Sequence, residues 1–160
     1  MKSRIAKSLS IAALTAALAA CSSVPLDKNA GANNGNAGDA MDPFNPNSVL
    51  YQQRSVYFGF DQYNVDDQYR TLVSQHAHYL AAHPQQHVKV EGNTDERGGA
   101  EYNLALGQRR AEAVAKQMEL QGVSSGQIET ISFGKEKPKA LGHTEADWAQ
   151  NRRADIDYLR

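Results

Sequence analysis

The chain has 160 residues, 41% hydrophobic and 22% charged, with a formal net charge of −1 and a single cysteine. One domain of ordinary size fits that length, one cysteine excludes an internal disulfide, and the charge balance excludes a polyanion-binding face. Nucleic-acid binding needs a basic patch or stripe, and none stands out.

The first twenty residues read as a secretory signal: Lys2, Arg4 and Lys7 are followed by an apolar stretch, Leu9 to Ala20, ending in small residues. That stretch is shorter than the roughly 20 apolar residues that span a bilayer. Leu18-Ala19-Ala20-Cys21 then has the lipobox pattern. Small residues let a peptidase close on the backbone, and the Cys21 thiol offers a thioether site for lipid. A lone exported thiol wants an explanation, and acylation supplies one; more than one acyl chain makes attachment stable. Ser22 rather than Asp follows the cysteine. Cleavage would remove three basic and no acidic residues, leaving 14 Lys+Arg against 18 Asp+Glu, a charge of −4.

Residues 21–47 are expected to be the lipidated cysteine and a disordered tether, because Asp27 to Met41 is Gly, Asn and Ala with almost nothing to bury. A tether of roughly 25 residues spans on the order of 25–30 Å as a random coil and about 80–90 Å when taut.

Residues 48–160 are expected to form one domain. Ser55–Phe60 (SVYFGF) reads as a strand. Asp66 and Asp67 open a helix to about Ala82 with Tyr69, Leu72, Val73, His76 and Leu80 at helical spacing, and Pro84 lies beyond its end. His87–Gly92 alternates as a half-buried strand does. A second helix is predicted from about Ala100 to Gln121, its core stripe Leu104, Gly107, Ala111, Val114 and Met118, with Gly122 as its stop. Gln127–Phe133 reads as a third strand, Thr144–Gln150 as a short helix capped by Thr144, and Arg153–Tyr158 as a last strand. The order β-α-β-α-β-(α)-β points to an α/β sandwich, a sheet with helices packed on one face.

Asp95 falls between a strand and a helix, where backbone N–H groups gather and anions are favoured. Gly92, Gly98 and Gly99 give that turn freedom for positive φ or close approach to a ligand. Asn103, Leu106 and Arg110 share a helix face, placed on the flank of the core stripe, so Arg110 is expected to point outward toward Asp95. Such an acid and base suit a zwitterion, whose carboxylate takes a bidentate bond from Arg110 while its ammonium meets Asp95. Spacing alone leaves open a structural ion pair of Asp95 with Arg110 or Arg97.

Nearly all of 55–160 resembles the OmpA-like domain family, in its lipid-anchored, peptidoglycan-associated branch. The resemblance is carried by SVYFGFD (Ser55–Asp61), EGNTDERG (Glu91–Gly98), EYNLALGQRRAEAV (Glu101–Val114), FGKEKP (Phe133–Pro138) and NRRA (Asn151–Ala154). It implies a mixed four-stranded sheet and noncovalent binding of the diaminopimelate-bearing stem peptide of peptidoglycan. Asp95 and Arg110 match the family's anchors. Tyr57, Gly59, Phe60 and Asp61 match the wall from the first strand, and Thr94, Arg97, Asn103 and Leu106 the rest. The resemblance further implies an outer-membrane anchor through lipid on Cys21, peptidoglycan, TolB and other Tol proteins as partners, a part in cell division, and no cofactor. Two departures stand out: Asn93, where many members carry His or Tyr, and Gly59, where an acidic residue is common.

Alternatives are a wall-anchoring lipoprotein of another envelope machine, or a peptidoglycan-processing enzyme. Against the enzyme, Asp95, Glu96 and Glu101 come with no evident nucleophile or metal. His76 and His78 lie about 200° apart on their helix and cannot share an ion, and no other histidine has ligand spacing. Arg152 and Arg153 read as a structural pair at a strand start in preference to part of the binding rim, Trp148 as packing its short helix onto the domain, and the Lys135–Lys139 run as a solvated loop in preference to a protein contact.

Overall fold

The computed structural model describes residues 41–160, so the expected signal, Cys21 and the tether as far as residue 40 lie outside the described residues. Four helices and four strands alternate along the chain: α1 Val49–Gln52, β1 Ser55–Tyr57, α2 Arg70–Ala82, β2 Val88–Asn93, α3 Ala100–Glu119, β3 Ile128–Gly134, α4 Glu145–Asn151 and β4 Arg153–Tyr158. They build a mixed sheet in the order β1-β4-β2-β3, with β4 antiparallel to both neighbours and β2 parallel to β3.

Alternation along the strands gives the sheet two unlike faces. Val56, Val88, Val90, Ala154, Ile156 and Tyr158 meet Val73, Ala77 and Leu80 of α2 and Ala111, Val114 and Met118 of α3 in one buried core. The opposite face is charged: Asp155 accepts from Ser55 Oγ at 2.6 Å and from Arg153 Nε at 2.8 Å, and Lys137 pairs with Glu91.

Helix α3 lies so close to β2 that backbone touches backbone. A Cβ on Gly92 would stand 1.8 Å from the Gly107 carbonyl oxygen. The close approach expected of Gly92 is therefore to a helix, and it sets the entrance of α3 over the end of β2.

The elements match expectation in type and order, with three differences. Strand β1 stops at Tyr57, because beyond Arg153 the partner strand has only the Arg152 carbonyl, which accepts from Phe58 N–H, to offer. Asp66 caps a 3-10 turn, Asp67–Tyr69, before α2 begins. The chain also folds before the first strand: the short α1 buries Leu50, and Arg54 donates to the Leu50 and Pro43 carbonyls.

Buried His76 joins this segment to the sheet. Its Nε2 lies 2.7 Å from the Gln53 carbonyl, which can only accept, so Nε2 carries the proton and Nδ1 accepts from the Tyr158 hydroxyl at 2.9 Å. Burial lowers the pKa of this ring to about 4. The unfolded chain therefore binds a proton near pH 6.5 that the fold refuses until about pH 4. Stability is expected to drop by about 3 kcal/mol as pH falls through that window. Urea titrations of the parent and of His76→Gln check this, since the variant should lose that slope.

Candidate functional site

The loop after β1, the turn after β2 and the first half of α3 line a cavity of about 150 Å³. Its floor is Arg110, which is fully buried. Nε donates to the Gln62 carbonyl at 2.8 Å, Nη1 to the Asn93 carbonyl at 2.8 Å and Nη2 to the Gly59 carbonyl at 3.2 Å. A guanidinium has five N–H donors, so after these three bonds two remain. Burial, with the nearby charge of Arg152, pulls its pKa down to about 10, against Asp95 and Asp61, so it stays cationic at neutral pH.

This corrects the helix-face expectation. Asn103, Leu106 and Arg110 are buried, whereas Leu104, placed in the core stripe, is 52% exposed. Arg110 turns inward because three carbonyls replace its water. It makes no ion pair with Asp95 in this structure; both line the cavity.

Asp95 is also buried, and two arginines hold it. Oδ1 accepts from the Arg97 backbone N–H at 3.1 Å and from Arg97 Nε at 3.2 Å; Oδ2 accepts from Arg97 Nη2 at 2.6 Å and Arg152 Nη1 at 3.3 Å. Burial pushes the carboxyl pKa up, but the Arg97 bonds and then Arg152 outweigh it, leaving Asp95 below its ordinary 3.8. Thr94 fixes the turn by donating its N–H to the Gly134 carbonyl at 2.8 Å, and Asn103 Nδ2 donates to the Arg97 carbonyl at 2.9 Å. Gly98 has φ +95, which a side chain would strain.

Arg97 lies between two rings, its guanidinium carbon 4.3 Å from the Phe60 centroid and 4.1 Å from Trp148. Phe60 is 61% exposed. Trp148 does more than pack its helix: Nε1 donates to Glu96 Oε1 at 2.8 Å, and His143 Nδ1 meets the same oxygen at 2.7 Å.

Of the residues singled out in the sequence, Phe60, Asp61, Thr94 and Asp95 line the cavity, as do Arg97, Asn103, Leu106 and Arg110. Tyr57 and Gly59 line a neighbouring hollow instead. Gly59 still reaches the site through its carbonyl, and Tyr57 OH meets Lys139 Nζ at 2.7 Å. Gly98 and Tyr102 complete the lining. Tyr102 could have been found, since it precedes Leu106 and Arg110 at i, i+4 and i+8; its hydroxyl donates to Asp61, whose φ is +57. Arg152, for which the structural reading is preferred over the binding rim, in fact reaches Asp95 across 57 residues, a contact that local spacing does not announce. Among the described residues, no three His, Cys, Asp or Glu gather as for a metal ion. The arrangement suits noncovalent capture of a small group carrying both charges.

A family model described as the OmpA family matches residues 57–152. The peptidoglycan-associated lipoprotein of Pasteurella multocida is 44% identical over 155 residues, covering 97% of this chain and 99% of that one. That of Haemophilus influenzae is 46% identical with the same coverage. The crystal structure of the peptidoglycan-associated lipoprotein from Burkholderia pseudomallei matches at TM-score 0.71 and 62% identity, over 73% of this chain and 98% of that chain. The C-terminal domain of Helicobacter pylori MotB matches at TM-score 0.60 and 20% identity, over 68% and 85%, a likeness of fold alone.

At the rim, hydrogen bonding and charge from Glu96 raise the pKa of His143 above its ordinary 6.5. The charged pair is present at low pH and is lost as pH rises through that raised value. Proton NMR of the His143 ring is expected to titrate above 6.5, and to fall back toward it in Glu96→Gln.

Proposed function

The chain belongs to the OmpA family, and from that premise we propose that it ties the outer membrane to the cell wall, held by lipid at one end and gripping peptidoglycan at the other. The two relatives aligned over nearly their full length are both named peptidoglycan-associated lipoprotein. The protein is a binding module and not an enzyme.

The observation that carries the reading is the pairing of a buried guanidinium with a buried carboxylate in one small cavity. About 150 Å³ is room of the order that accepts a benzene-sized group, and the end of one amino acid fits that scale. Diaminopimelate in the stem peptide is the wall component that presents both an ammonium and a carboxylate at a free end. Its carboxylate takes the two remaining N–H groups of Arg110, and its ammonium goes to Asp95. Phe60, Leu106 and Tyr102 give its methylenes an apolar wall. No bond is made or broken, so attachment is reversible as the wall grows.

Lipid on Cys21 and residues 21–47 as the tether complete the link. The domain works within the Tol-Pal system in envelope constriction at division, with TolB and other Tol proteins as partners competing for the wall-binding face. Adding TolB is expected to lower the fraction of protein that pellets with wall; an unchanged fraction removes the competition.

Asp95→Asn tests the pocket directly. It is expected to abolish co-sedimentation with purified wall while circular dichroism still reports a folded domain. Parental pelleting by that variant sinks the assignment. Arg110→Ala is the less clean test, because three carbonyls lose their donor and each buried unpaired group costs on the order of 1–3 kcal/mol.

A further inference from the structure

Resting on the wall-binding reading, we propose that Arg97 is a built-in stand-in for the ligand's cation, and that binding exchanges it for the incoming ammonium at Asp95.

An ionised carboxylate offers about four acceptor sites. At Asp95 all four are filled from within the protein: the Arg97 N–H, Nε and Nη2, and Arg152 Nη1. Asp95 is only 4% exposed. A cation cannot simply be added to it, so one internal donor has to leave.

The two arginines are not equally free to do so. Arg152 is buried and tied elsewhere, its Nε to the Phe58 carbonyl at 3.0 Å and its Nη2 to Glu145 at 2.8 Å. Its departure would strand a carbonyl in the interior. Arg97 has a side chain 33% exposed, and among the described residues its guanidinium has, beyond Asp95, one further ion pair, at 3.6 Å to Glu145, itself mostly exposed. Its flanking ring Phe60 is exposed as well. The Arg97 guanidinium can move toward Glu145 and solvent while its backbone N–H stays on Oδ1. Arg152 then keeps the carboxylate in place during the exchange.

Asp95 is therefore never left as a bare buried charge. The same contact costs affinity, since a ligand must outbid a bidentate, ring-stacked guanidinium already in place. This is the reverse of what an ordinary contact residue does.

The test uses the whole domain and a soluble stem peptide ending in diaminopimelate, followed by calorimetry. Arg97→Ala is expected to bind about tenfold more tightly than the parent, with Arg97→Lys between the two. In the parent, the Arg97 Nε–H resonance should lose its bonded shift at saturation, while that of Arg152 keeps its own. Equal or weaker binding by Arg97→Ala, or an Arg97 signal that does not move, overturns the exchange and leaves the wall-binding reading intact. Absence of binding by both parent and variant overturns that reading, and this inference with it.

Discussion

One buried guanidinium holds the working end of this molecule together. Arg110 reaches from α3 to the carbonyls of Gly59, Gln62 and Asn93, and so ties the loop after β1 and the end of β2 to one helix. Placing a charge in the interior is costly unless it is paired and hydrogen-bonded. Here the carbonyls supply the bonds while Asp95 and Asp61 supply opposing charge. Fold and site thus share an atom group: the residue that closes the loops is the floor of the cavity.

Close backbone packing makes that arrangement possible. With glycine at 92 and at 107, α3 descends onto β2, and the arginine that follows at 110 is short enough of its targets to meet all three. A pair of arginines anchors the acid. Arg152 and Arg97 converge on Asp95 from α4 and from the turn, so the carboxylate is fixed from two elements and held ionised despite its burial. The pocket thus has a buried base, Arg110 and Asp95, and a more exposed rim of Phe60, Arg97 and Tyr102.

Much of this could be read from the residues in order. Arg153–Tyr158 is a strand and Thr144 caps α4, as expected; that Asp147 completes the cap is seen only in the structure. The helix-face assignment failed for a physical reason. Periodicity shows that Leu106 and Arg110 lie together on α3, but not which side faces inward, and arginine is ordinarily an outside residue. Leu104 falls in the core stripe by its i+3 spacing to Gly107, yet it stands exposed over the edge strand β3. The early end of β1 was hidden too, since strand length depends on how far the partner strand runs. Contacts such as Arg152 to Asp95 join distant segments and leave no trace in local spacing.

The sheet also fixes how the domain bears load. Residues 41–54 enter at one end of the strands, beside Tyr158, while the cavity opens at the other, past Tyr57 and Asn93. On the proposed reading, a pull entering at residue 41 against a ligand held at Asp95 and Arg110 would draw along β1. The rungs between β1 and β4 resist side by side instead of parting one after another, as they would if peeled. Drawing instead on the start of β1 and the end of β4, which lie at the same end of the strands, would open those rungs in turn like a zip.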